Sequence, residues 1–144
     1  MAITTNAIAN SFKKELLEGK HNFTASTGSV FKLAMYTSAA TLGKSTTSYT
    51  TGQEVTSPAG YTAGGKALVN TGTSVASSVA ITSFSNLSFT NVTLTARGAL
   101  IYNTSNSNTG VAVLDFVSDK TATAGTFTIQ FPAYTTSAAI LRIS

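Results

Sequence analysis

Between residues 4 and 19 the apolar positions Ile8, Phe12 and Leu16 recur at spacing four, with Leu17 beside them. That spacing predicts an amphipathic helix buried along one stripe. Thr4 or Thr5 supplies an N-cap, Lys13, Lys14, Glu15 and Glu18 fall mostly away from the stripe, and Gly19 is a natural stop. After the helix the period changes to two. In residues 29–37, Phe31, Leu33 and Met35 alternate with Lys32, Ala34 and Tyr36, the pattern of a strand. Residues 39–65 read as a long connection rich in Thr, Ser and Gly, with Pro58 near its middle and short irregular strands near 46–49 and 53–56. A loop of that length usually serves function or an interface. Further strands are predicted at 66–72, 77–84, 92–103, 110–117, 125–132 and 137–143, with the polar run NTSNSNTG (103–110) as a hairpin turn. Short strands without βαβ alternation predict one domain over residues 1–144 that is mainly β. The expected architecture is an antiparallel β-sandwich (Ig-like or jelly-roll-like) with one N-terminal α-helix.

Composition sharpens this picture. Of 144 residues, 26 are Thr and 18 are Ser, while only 10% are charged. Thr suits the pleated surface of a strand, so the surface is expected to present hydroxyls in place of charges. Few charges leave sheet edges unguarded, and one solution is deliberate pairing with copies of the chain or with a partner. The absence of Cys excludes disulfide scaffolds, thiolate zinc sites and cysteine nucleophiles. No apolar run reaches the roughly 18 residues of a transmembrane helix, and the N-terminus lacks the layout of a signal peptide. The net charge of +4 is scattered, unlike the clustered basic face of a nucleic-acid binder, so neither nucleic acid nor membrane is expected as a partner.

Candidate chemistry is sparse. GYTAGGK (60–66) matches G-x-x-x-x-G-K, but Ala67 stands where a Ser or Thr must reach magnesium, and no helix pattern follows. It reads as a glycine-rich turn entering a strand. His21 is the only histidine, and no G-x-S-x-G nucleophile elbow accompanies it. Of the five acids, Asp115 is expected in a strand, where Arg97 on a neighbouring strand is a plausible cross-strand partner. Triplets of the N-x-S/T form at Asn22, Asn86, Asn91 and Asn103 are the chance product of a Ser/Thr-rich chain. No catalytic, cofactor-binding or metal-ligating residue emerges. Tyr49 and Tyr61, in the long connection, are the tyrosines best placed to anchor an interface.

A resemblance adds to this reading. The ordered segments MAITTNAIANSFKKELLEGKHNF, VFKLAMYTSAATLGKSTTSY, GYTAGGKAL, TARGALIYN, VAVLDFVSDKTATAGTFTIQFP and AAILRI resemble a family of small structural proteins of tailed bacteriophages, especially those of cyanobacteria and other aquatic bacteria. The resemblance spans nearly the whole chain. It implies a non-enzymatic virion component made in the bacterial host cytoplasm, without cofactors. It carries no catalytic set to transfer. The first expectation is a capsid cement or decoration protein that binds the major capsid protein, copies of itself as a trimer, or both. Ile8, Phe12, Leu16 and Leu17 of the helix and Tyr49 and Tyr61 of the loop are then the expected contact residues. The alternative is a tail component: an adaptor, a tube or collar element, or part of a host-binding fibre. A carbohydrate-binding module would need a cluster of exposed aromatics.

Overall fold

The computed structural model describes residues 3–56 and 59–144; Pro58, expected near the middle of the long connection, lies outside them. The elements in chain order are β1 (Ala7–Ile8), α1 (Asn10–Leu17), β2 (Phe31–Tyr36), β3 (Lys66–Ala67), β4 (Asn70–Ala76), β5 (Val79–Phe84), β6 (Leu87–Asn103), β7 (Thr109–Ile129) and β8 (Leu141–Ile143). The chain is mainly β, with antiparallel sheets and one short helix, as its alternating pattern predicts. A five-stranded sheet has the order β1-β7-β6-β2-β3, and a three-stranded sheet the order β4-β5-β8. They face each other in a sandwich-like arrangement. Phe84 of β5 meets Phe31 of β2 edge to face, their ring centroids 5.6 Å apart.

The larger sheet buries side chains on both faces. Phe31, Leu33 and Met35 point into the main core between the sheets, while Ala34 and Tyr36 join a second cluster with Ile3, Ala40, Leu42, Leu100, Tyr102 and Val113. The long connection therefore folds back over the outer face of the sheet. A bulge in the β6–β7 ladder lets one strand serve both clusters. Gly98 pairs with Asp115 and Ala96 with Lys120, so Arg97 alone stands opposite residues 116–119 of β7. Before the bulge Val92, Leu94 and Ala96 face the main core; after it Ala99 and Ile101 do. Extra residues on one strand change the parity of inward positions in this way.

Several boundaries differ from the predicted ones: β6 begins at Leu87 and not at 92, β8 covers only Leu141–Ile143 of 137–143, and the short strands near 46–49 and 53–56 are single bridges at Ser48 and Glu54. The helix begins at Asn10 and not at residue 4, because Ala7 and Ile8 pair with Val113 and Ala112 of β7. Ala9 is the N-cap and makes no side-chain cap bond. Its stop is as expected: Gly19 has φ +73°, its N–H bonds the Leu16 carbonyl at 3.1 Å, and the Lys20 N–H bonds that of Glu15 at 3.0 Å. This is a Schellman C-cap. Beside it the exposed Lys14 and Lys20 ammonium groups hydrogen-bond Glu18 and hold its carboxyl down to about 2. Residues 66–72 form no single strand, since β3 pairs with β2 and β4 crosses to the other sheet. Ser77 and Ser78 are the turn between β4 and β5, both with positive φ as a type I′ hairpin requires. Finally, 110–117 and 125–132 belong largely to one long strand, β7, which pairs with β6 almost throughout.

Candidate functional site

The residues proposed as contacts scatter. Phe12 and Tyr61 are buried in the main core, a correction to their expected role as surface anchors. Ile8 and Leu16 are half-buried against that core. Tyr49 lies half-buried over the second cluster, stacked on Tyr102 with centroids 4.6 Å apart. Only Leu17 stands free, 91% exposed. The apolar stripe of α1 is thus spent mainly inside the chain.

Tyr61 and Tyr49 are held by a carboxylate. Glu54, buried and bridged to Tyr36, accepts the Tyr61 hydroxyl at 2.8 Å, the Tyr49 hydroxyl at 2.6 Å and the Gly64 N–H at 2.6 Å. Tyr61 in turn accepts the Met35 N–H at 2.9 Å. Tyr36 donates to the Thr50 carbonyl and Tyr102 to that of Gly64, both at 2.6 Å. Three donors satisfy the carboxylate without a cation, the arrangement that makes a buried charge tolerable. The cluster clamps the long connection onto β2 and β6.

Burial is the largest cause raising all four phenols, and the Glu54 charge adds to it. Tyr102 is pushed up to about 12, and Tyr36, Tyr49 and Tyr61 are pushed further. An unfolded tyrosine ionises near 10. A raised folded value means the fold prefers the neutral phenol. The stability this contributes is fully present below about pH 10 and is lost as pH rises through the folded values. The expected result is base-induced unfolding above about pH 10, in which tyrosinate absorbance from these residues appears together with loss of circular dichroism. Ionisation of all of them near pH 10 with the dichroism intact would contradict the buried cluster.

His21 is equally committed. Its Nδ1 lies 2.9 Å from the Asn103 side-chain amide and its Nε2 2.7 Å from Glu15 Oε2. The Asn103 oxygen accepts the Ser105 N–H, so its NH₂ group faces Nδ1, and Nε2–H donates to Glu15. Both nitrogens are occupied, and the ring packs against Phe12 with centroids 4.7 Å apart. Arg97 and Asp115 do meet across β6 and β7, with Nε 3.5 Å from Oδ1, an ion pair without hydrogen-bond geometry. Asp115 Oδ1 also accepts the Val117 N–H at 2.8 Å. Lys66 of the GYTAGGK segment donates to the Ser88 carbonyl at 2.7 Å, and β3 begins there, so the segment is a turn entering a strand. Among the described residues no group of three His, Asp or Glu could hold a metal ion, and no helix is long and apolar enough to cross a membrane.

A groove of about 810 Å³ runs along β7. Ile8, Leu114, Phe116, Phe131 and Ile140 line it with the edges of Phe127 and Ile129, and Lys120 and Arg142 stand at its margins. Near it the β7 bulge presents Val117, 77% exposed and at φ +71°. A β-branched residue in that region costs about 1–3 kcal/mol. Of the sequence-proposed contacts only Ile8 reaches the groove. Sequence reasoning missed the others because they lie on predicted strands with nothing to mark which edge stays open. Neither His21 nor Glu54 lines it; Asp115, its side chain 9% exposed and paired with Arg97, does. Comparison of the chain with protein-family models, with curated proteins and with solved structures returned no match.

Proposed function

We propose that this chain is a non-enzymatic structural subunit of a tailed-phage particle, lying on the head shell as a cement or decoration protein. The observation that carries the reading is the open apolar groove along β7, a surface suited to holding another protein. The sequence resemblance supplies the particle, and the major capsid protein is the partner on the shell. The interior use of His21 and Glu54 fits an assembly role, since neither is offered to a substrate. Each copy needs to bury only about 1,200–2,000 Å² in total, about half of it on the shell, and repetition over the lattice adds avidity to modest single contacts.

Particles that lack the chain test this. Their heads are expected to rupture at lower temperature and in more dilute salt than complete particles, with tails unaltered. Heads of unchanged resistance on particles that fail to infect would overturn the reading and place the chain in the tail.

A further inference from the structure

The hydrogen bonds around His21 leave its ring one protonation state. Its side chain is closed off from solvent, between Phe12 of α1, 4.7 Å away, and Phe31 of β2, 6.3 Å away and inclined by only 20°. Among the described residues Glu15 is the one charged group bonded to it, Oε2 standing 2.7 Å from Nε2. Lys14 and Lys20, on the same helix and its C-cap, pair with Glu18 instead. Residues 22–30 carry no charge. Lys32 and Tyr102, next to Phe31 and Asn103, lie on the opposite face of the sheet.

At Nδ1 the neighbour is a donor. Asn103 is wholly buried, its amide nitrogen 2.9 Å from Nδ1, and its oxygen accepts the Ser105 N–H at 2.9 Å. A side-chain amide has one accepting and one donating end. Nδ1 therefore accepts, and the ring is neutral with its proton on Nε2. A second proton would set N–H against NH₂. The charge itself has a partner, because Nε2–H already points at a carboxylate. What has to give is Asn103: turning its amide over brings the oxygen to Nδ1–H and takes it from Ser105. Ser105 is exposed, so its freed N–H can bond water, and the exchange costs one hydrogen bond and not the fold.

We propose that His21 is a proton-driven latch on the turn between β6 and β7: when Nδ1 takes a proton, the Asn103 amide turns over and the Ser105 N–H is released. The turn anchors two other segments. Ser105 Oγ accepts the N–H of Val30, just before β2, and the Asn108 carbonyl accepts the Tyr49 N–H of the long connection, both at 2.9 Å. Acid thus loosens the turn on which the connection is fastened. None of residues 103–109 lines the groove along β7, so the latch and the shell contact can fail separately.

The test is an NMR titration of the full chain from neutral pH downward, following the His21 ring nitrogens and the Ser105 amide. At neutral pH the ring is expected to carry its proton on Nε2 alone. As Nδ1 gains a proton, the Ser105 amide should shift with the same midpoint. It should also lose about tenfold in exchange protection relative to Thr104, whose N–H stays on the Val30 carbonyl. In Asn103→Asp one carboxylate accepts from both Nδ1–H and Ser105, so the ring titrates while Ser105 stays protected. His21→Gln has no ring to titrate, and its Ser105 amide should not respond over the same range. The parent decides alone if either variant fails to fold. A ring with Nδ1 protonated at neutral pH, or one that stays neutral until the chain unfolds, would overturn the proposal. So would a ring that titrates with Ser105 unmoved, or a Ser105 amide released alike in Asn103→Asp.

Discussion

Replacing Gly65 with alanine should remove most of the protein's stability. Gly65 has φ +77°, and a Cβ built on it would stand 1.8 Å from the Leu33 carbonyl oxygen and 2.8 Å from the Ala34 Cα. Both neighbours are backbone of β2, an inner strand of the larger sheet, so neither can swing aside as a flexible side chain would. The left-handed conformation alone costs a non-glycine residue about 1–3 kcal/mol, and displacing β2 adds to it. The sum is expected to exceed about 4 kcal/mol, a large part of the stability of a small domain. Gly64→Ala provides the internal control. Its φ is +93°, but its Cβ would meet only the Tyr102 hydroxyl at 3.5 Å and the Lys32 ammonium at 3.7 Å. That variant should fold with a loss confined to the conformational cost, about 1–3 kcal/mol. Chemical denaturation of the two proteins checks the ranking, and equal losses would contradict the close approach to β2.

Phe12→Ala is expected to cost about 3–5 kcal/mol, the range for emptying a phenylalanine site in a packed core. Its ring is wholly buried, 6.0 Å from Phe23 edge to face and 4.7 Å from His21. The loss extends beyond packing, because His21 is also the bridge between Glu15 of α1 and Asn103 at the end of β6. Leu17→Ala, on the same helix but 91% exposed, should move the unfolding midpoint by less than about 0.5 kcal/mol. Measuring both in the isolated chain separates core from contact surface. A Phe12→Ala protein as stable as the parent would return the helix stripe to the role of an external interface.

These residues also show where sequence reasoning reaches and where it stops. The strand β2 and the β6–β7 turn were legible, because Phe31, Leu33 and Met35 alternate and NTSNSNTG can only be a solvated turn. The unity of β7 was not. Its middle, residues 118–124, offers little apolar alternation: Ala122 alone stands opposite a large apolar residue, Leu94, while Lys120 pairs with Ala96 and Thr121 bonds Thr95 at 2.8 Å. The N-terminal helix was expected to start six residues too early because Ile8 keeps the helical spacing while its backbone is claimed by β7, a tertiary contact that local pattern does not encode. Periodicity identified the apolar face of α1 but could not say what covers it, and so Phe12 passed for a contact residue; Tyr61 did so because the length of the connection around it suggested an interface. Glu54 gave no signal at all; only the fold brings Tyr49, Tyr61 and the Gly64 N–H to one carboxylate.

The central claim is that this chain works as a repeated piece of a particle shell. Its most direct test is the copy number of the chain in purified particles, measured by quantitative mass spectrometry against the major capsid protein. A fixed small-integer ratio to the capsid protein is the result expected of a shell subunit. A few copies per particle, or none, would contradict it.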